Sequence, residues 1–199
     1  MIHGIFKLTM LPPVLAHMKA LGYKVFDNPK YDYDLNIFGI RNKNNETNVF
    51  DDTLGVIYLW DGCWRGHYWS GTVDPGQYWL ENPMNVKGTA VMCPGQYRGA
   101  YEVGSHRGKP ALIQSGPVTV WRDYNRDATI DRQGDPDHGL FACNLHRAGK
   151  SSKRVDKWSA GCQVWANNSD FEEFMDICNK QVALCGFSTF TYTLLDQWF

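Results

Sequence analysis

From Leu54 to the end of the chain, short apolar or alternating runs are broken every few residues by turn-forming Gly, Pro and Asp. A chain punctuated this way builds sheet rather than a helical bundle. Residues 54–60 (LGVIYLW) are a buried-strand candidate closed by Asp61-Gly62. Asp74-Pro75-Gly76 marks a further turn, and Pro94-Gly95 follows the strand-like 89–92 (TAVM). Residues 111–124 predict one strand on either side of Gly116-Pro117. Alternation through 140–146 places Leu140, Ala142, Asn144 and His146 on one strand face and Phe141, Cys143 and Leu145 on the other. The last segment also alternates, with Phe190, Tyr192 and Leu194 against Thr189, Thr191 and Thr193.

Helical signals are fewer. Residues 12–22 predict a short helix with Pro at its start and Gly22 after its end. Residues 27–53 read as polar loops around one strand at 35–40. A second helix is expected from Ser169, with Glu172 completing a capping box and Gly186 as the stop. Its apolar face would be Phe171, Phe174, Met175, Cys178, Val182 and Cys185. The expectation is a mainly β, sandwich or barrel-like domain with one or two helices. Residues 1–30 would form an N-terminal helical segment packed on a domain spanning 31–199.

Composition narrows the function. With 20 basic and 21 acidic residues the net charge is -1, so nucleic acid is not an expected partner. Arg147, Lys150, Lys153, Arg154 and Lys157 form a local basic stretch that reads first as a solvated loop. Residues 1–10 lack the basic start, sustained apolar run and small-residue cleavage site of a secretory signal. No stretch is long enough to predict membrane insertion. The expectation is a soluble monomer made in the cytoplasm. Six cysteines without a CxxC pair predict neither a disulfide scaffold nor a zinc ribbon.

The sharpest local feature is Ser159-Ala160-Gly161-Cys162 downstream of His146. A catalytic thiol needs a base or a positive field, and His is the side chain suited to that near neutral pH. Gly before Cys allows close approach of backbone and substrate, and lets local N–H groups face an oxyanion. The sixteen-residue separation between His146 and Cys162 suits two strand ends joined by a polar, basic surface loop. Most free cysteines are small buried hydrophobes. Helix periodicity assigns Cys178 and Cys185 to that class, and strand parity assigns Cys143. A zinc site from His138, Cys143, His146 and Cys162 is disfavoured by the same parity, which turns Cys143 away from His146.

His146, a loop, then Ser159-x-Gly161-Cys162 resembles the signature of the L,D-transpeptidase catalytic domain. The resemblance implies a β-rich fold with a helix, a Cys162 nucleophile, a His146 base, and attack on a peptidoglycan stem peptide through a thioester. Gln163 stands where that family has an apolar residue, and Val164 where it usually has a substrate-orienting Arg. Arg147 is the candidate substitute. The wider pattern around WSAGCQV and CPGQYRGAYEVGSHRGK is similar to phage-encoded proteins with this core. That setting implies an endolysin-like hydrolase of the bacterial cell wall acting in the periplasm. A cross-linking transpeptidase and a non-catalytic wall-binding virion component are the alternatives. On this reading Asn144 or a backbone carbonyl orients His146. Ser159 either hydrogen-bonds near the thiolate or shapes the turn. Tyr97, His106 and Arg107 either line the cleft or belong to an exposed hairpin. No cofactor is required for catalysis.

Asp123, Asn125, Asp127, Thr129 and Asp131 place oxygen groups at alternate positions. That spacing fits the front half of a calcium loop and equally an acidic turn between strands. Ala128 replaces the usual Gly at the sixth position, and Gly134 replaces Glu at the twelfth. A calcium ion there would be structural.

Overall fold

The hairpin of β3 (Asp52–Trp60) and β4 (Cys63–Thr72) is the longest pairing in the molecule. Its turn residues, Asp61 and Gly62, both have positive φ (49° and 67°), the geometry that matches the twist of the flanking strands. The computed structural model describes residues 2–7, 10–44, 46–150 and 152–199, the first of these segments by its backbone alone. Around the hairpin, β2 (Asn36–Arg41), β6 (Gly95–His106), β7 (Lys109–Gln114), β10 (Leu145–Arg147), β11 (Gln163–Trp165) and β12 (Thr189–Asp196) complete a sheet. Its order is β4-β11-β10-β7-β6-β12-β2-β3, and β3 pairs back onto β4, so the strands close into a ring. Closure removes the exposed edges that an open sheet would present. The fold is mainly β, as the turn-punctuated pattern predicts.

Period-two alternation in β3 decides what packs where. Leu54, Val56 and Tyr58 face the main core, while Ile57 and Leu59 face a second cluster. Helix α1 (Pro13–Ala20) covers that second face with Val14, Leu15 and Met18. The N-terminal segment is not purely helical, however. β1 (Ile2–Lys7) pairs antiparallel with β4, Ile2 opposite Tyr68 and Lys7 opposite Cys63. Residues 1–30 thus contribute a strand to the sheet as well as the helix packed on it. Met1, Leu8 and Thr9 of the predicted segment lie outside the described residues.

Helix α3 (Asn168–Cys185) begins before Ser169, with Asn167 as N-cap and no side-chain cap hydrogen bond. The expected capping box does not form: Glu172 instead receives the Asn168 amide. Gly186 ends the helix in the left-handed region, φ 73°. Phe171, Phe174, Met175, Ile177 and Cys178 are buried, each large apolar side chain contributing roughly 2 kcal/mol. Phe174 stacks on Trp165 at 4.5 Å between centroids. Val182 is exposed and Cys185 half-buried. The buried face swings instead through Gln181, whose Oε1 accepts the Leu35 amide. A short helix, α2 (Gln77–Glu81), precedes a three-stranded sheet of β5 (Thr89–Met92), β8 (Val118–Asp123) and β9 (Asp137–Gly139). Among the described residues no helix is long and apolar enough to cross a membrane.

Candidate active site

Parallel pairing of β10 with β11 places Leu145 opposite Gln163 and His146 opposite Val164. Cys162, one residue before β11, is thereby brought within about one strand spacing, ~4.8 Å, of the chain at 144–146. A parallel pair needs a crossover, and the polar segment 148–161 supplies it. Ser151 of that segment lies outside the described residues. Both His146 and Cys162 line a cavity of about 340 Å³.

The turn before Cys162 is built by its neighbours. Ser159 is wholly buried; its hydroxyl donates to the Cys162 carbonyl at 2.8 Å and accepts the Gly161 amide at 3.2 Å. Ser159 therefore shapes the turn and is spent on backbone, not on the thiol. The Gly161 N–H, expected to face an oxyanion, is taken by Ser159. Gly161 has φ +115°, and a Cβ there would lie 2.6 Å from the Ala90 carbonyl oxygen on β5. Only glycine fits.

Gln163, the departure from an apolar residue, is buried and doubly engaged. Its Oε1 accepts the Tyr192 hydroxyl at 2.7 Å, and its Nε2 faces the carbonyls of Val73 and Gly161 at 3.4 Å each. The side chain ties the Cys162 turn to β12. Gln163→Leu is expected to cost about 1–3 kcal/mol, because the Tyr192 hydroxyl is left buried and unpaired. Gln163→Leu combined with Tyr192→Phe should recover most of that loss in urea denaturation, since both partners are then apolar.

His146 Nδ1 lies 2.9 Å from the Arg147 backbone carbonyl. A carbonyl only accepts, so Nδ1 carries the proton and Nε2 presents its lone pair. Nε2 is buried and has no hydrogen-bond partner. The backbone carbonyl, not Asn144, orients the ring. Asn144 donates its Nδ2 to His106 Nδ1 at 3.0 Å and accepts the Gln114 amide with its Oδ1. His106 stacks on His146, centroids 4.4 Å apart and planes 12° off parallel. Asn144 thus supports the stacked pair from behind, and it lines the adjoining pocket with Phe141, Ala142 and Ala160.

Burial sets the protonation of the pair. It lowers His146 to about 4, with His106, Arg107 and Arg147 adding to the effect against the Arg147 carbonyl. It raises the Cys162 thiol to about 11, against the pull of the Asn144 amide and Arg107. The resting site is a neutral thiol beside a neutral imidazole, with Sγ directed at the Ala142 carbonyl, 3.4 Å away. The low His146 value is also a stability term. The unfolded chain takes up this proton near pH 6.5 and the folded chain near 4. Stability from a neutral His146 is therefore complete above pH 6.5 and is lost as pH falls to 4, by roughly 3 kcal/mol. Unfolding free energies of the wild type and His146→Gln, taken from urea titrations at pH 6.5 and pH 4, should change between the two pH values by amounts that differ by roughly this much.

The remaining predicted residues divide. Arg147 lines the cavity, its Nη1 donating to the Ala148 carbonyl at 3.1 Å. His106 and Arg107 line it too, Arg107 at φ 50° in the two-residue turn between β6 and β7. Tyr97 does not: it is buried in the main core, its hydroxyl hydrogen-bonded to the Cys93 and Thr119 carbonyls. The parity argument over 140–146 fails, because Ala142 turns left-handed (φ 57°) and only Leu145–Arg147 is strand. Cys143 is nevertheless in the core, its thiol pushed up by burial and next by Cys162. His138 is exposed on β9 beside Thr119. Of the basic stretch, Arg147 and Lys157 reach the cavity rather than bulk solvent alone. Sequence reasoning did not single out Trp79, Trp158, Lys109 and Phe141, which also line it; a high Trp content was their only trace.

Arg107, Lys109, Arg147 and Lys157 come from the β6–β7 hairpin, β10 and the crossover, and among the described residues no Asp or Glu lines the same cavity. The cavity walls thus combine aromatic surface with a positive field, beside one thiol and the stacked imidazoles of His106 and His146. No protein-family model, curated protein or solved structure matches the chain.

Proposed function

We propose that this chain is a cysteine peptidase of the L,D-transpeptidase type that cleaves peptidoglycan stem peptides, an endolysin-like activity. The observation that carries the reading is Cys162 and His146 in one cavity, with the imidazole held in the tautomer that leaves Nε2 free to accept a proton. In the proposed reaction Nε2 takes the thiol proton as Sγ attacks the peptide carbonyl carbon. The tetrahedral adduct expels the amine, which receives that proton, and leaves a thioester on Cys162. Water then hydrolyses the thioester and regenerates the thiol. With Gly161 occupied by Ser159, the turn amide assigned to the developing oxyanion is that of Cys162. The four cations suit a stem peptide, which carries free carboxylates. Arg107 and Arg147 take the place of the Arg absent at Val164.

The wall is then the partner, reached from the host cytoplasm through a phage lysis pore, with no cofactor needed for the chemical step. Muropeptide mass spectrometry after incubation with wild type and Cys162→Ala tests this. A shortened stem peptide that depends on Cys162 is the expected product. A Cys162-dependent cross-link or D-amino-acid exchange would assign transpeptidation instead. No Cys162-dependent product from several wall chemotypes would overturn the enzymatic reading.

A further inference from the structure

At the end of β8 the carboxylate of Asp123 is fully buried. Its Oδ2 accepts the Asp131 amide at 2.8 Å, but Oδ1 is buried with no hydrogen-bond partner. A buried carboxylate oxygen without a donor is costly unless a cation or proton meets it. Asp127 and Asp131 converge on one point, where the Asn125 amide now donates to both: Nδ2 lies 3.0 Å from Asp127 Oδ2 and 2.9 Å from Asp131 Oδ2. The loop's one large apolar residue, Ile130, is anchored with Leu80 and Val91, which fixes the loop's return path.

We propose that this loop binds calcium, with Asp123, Asn125, Asp127, Asp131 and the Thr129 carbonyl as oxygen ligands. Alternating oxygens on a loop of this length suit the flexible, high coordination of calcium better than the strict octahedron of magnesium. Among the described residues no three His, Cys, Asp or Glu side chains stand close enough to chelate an ion as they are. Binding therefore requires the Asn125 amide to turn its oxygen inward and the carboxylates to close where the NH₂ now lies. With Gly134 in place of a bidentate Glu, the dissociation constant is expected on the order of 10⁻⁴–10⁻³ M.

The loop is placed to matter for the nucleophile. Asp123 pairs with Thr89 of β5, and the next residue, Ala90, is the one that Gly161 packs against. An ion on Asp123 would hold the strand that backs the Gly161-Cys162 turn. This inference does not depend on the proposed peptidase reaction, and its readout is binding rather than activity.

Terbium luminescence sensitised through Trp121 and Tyr124, with calcium as competitor, tests it, alongside thermal melts of the full chain in calcium, magnesium and EDTA. Sensitised emission displaced by calcium is expected, with a melting temperature about 5–10 °C higher at a hundredfold excess of calcium over its dissociation constant. Asp127→Asn and Asp131→Asn, on the outer part of the loop, should each weaken calcium binding at least tenfold while the chain still folds. Absence of emission together with identical melts in calcium and EDTA would overturn the proposal. So would an equal shift from magnesium, or calcium affinity unchanged in both variants.

Discussion

Cys162→Ala is expected to reduce the rate of stem-peptide cleavage by at least ~10³-fold while leaving the fold intact, because no other group in the cavity can form the acyl intermediate. The stability change should be about 1 kcal/mol, the loss of one small buried group. Cys143→Ala is the informative control. Cys143 is equally buried and electrostatically close to Cys162, yet it belongs to the main core rather than the cavity lining. Its replacement should lower stability and leave turnover within a few fold of wild type. Comparable activity loss in both variants would sink the assignment of a single nucleophile. The raised thiol adds a substrate-free measurement. Burial holds Cys162 at about 11, so iodoacetamide labelling at this position, mapped by peptide mass spectrometry, should keep climbing well above neutral pH. A plateau near neutrality would mean a preformed thiolate–imidazolium pair, which the buried, electropositive setting of His146 disfavours.

Gly161→Ala should be the most damaging change that removes no chemical group. The residue sits at φ +115° and its new Cβ would press 2.6 Å from the Ala90 oxygen and 3.1 Å from the Ala90 Cβ. Both obstacles are main-chain or short, so neither can rotate away. Backbone strain and the clash together are expected to cost about 3 kcal/mol or more. Relief by shifting the turn would displace Cys162, so activity should fall further than stability at temperatures where the variant is folded. Gly186→Ala separates the two causes. Gly186 is also left-handed, φ +73°, but a Cβ there meets nothing within 4 Å. It should cost only about 1 kcal/mol and spare activity. Equal losses at both positions in guanidinium denaturation would show that the approach to Ala90 is not what holds the turn.

Local features of this chain were legible wherever the physical cause is itself local. The alternation and turn residues that predict strands at 54–60 and 89–92 correspond to β3 and β5, because side-chain parity and left-handed turn geometry need only neighbouring residues. Gly186 as a helix stop has the same origin. Parity failed at 140–146 because Ala142 adopts a left-handed conformation that no glycine or proline announces. The Ser169 capping box failed because competing amides at Asn167 and Asn168 take Asp170 and Glu172 instead.

The sequence by itself determined a mainly β chain, set Cys143, Cys178 and Cys185 aside, and singled out Cys162 by the Gly before it, with His146 as its candidate base. That the two share one cavity was decided by the parallel pairing of β10 and β11, which no local pattern in the sequence records. The tertiary structure alone decided which nitrogen of His146 carries the proton, because that depends on where the Arg147 carbonyl points. It also turned Gln163 from an anomaly into a tether, since its partners Val73 and Tyr192 come from the end of β4 and from β12, and it moved Tyr97 from the cleft to the core. Periodicity records which face of a strand is apolar. It does not record which distant backbone groups will stand within 3 Å of a side chain, and the chemistry of Cys162 depends on those.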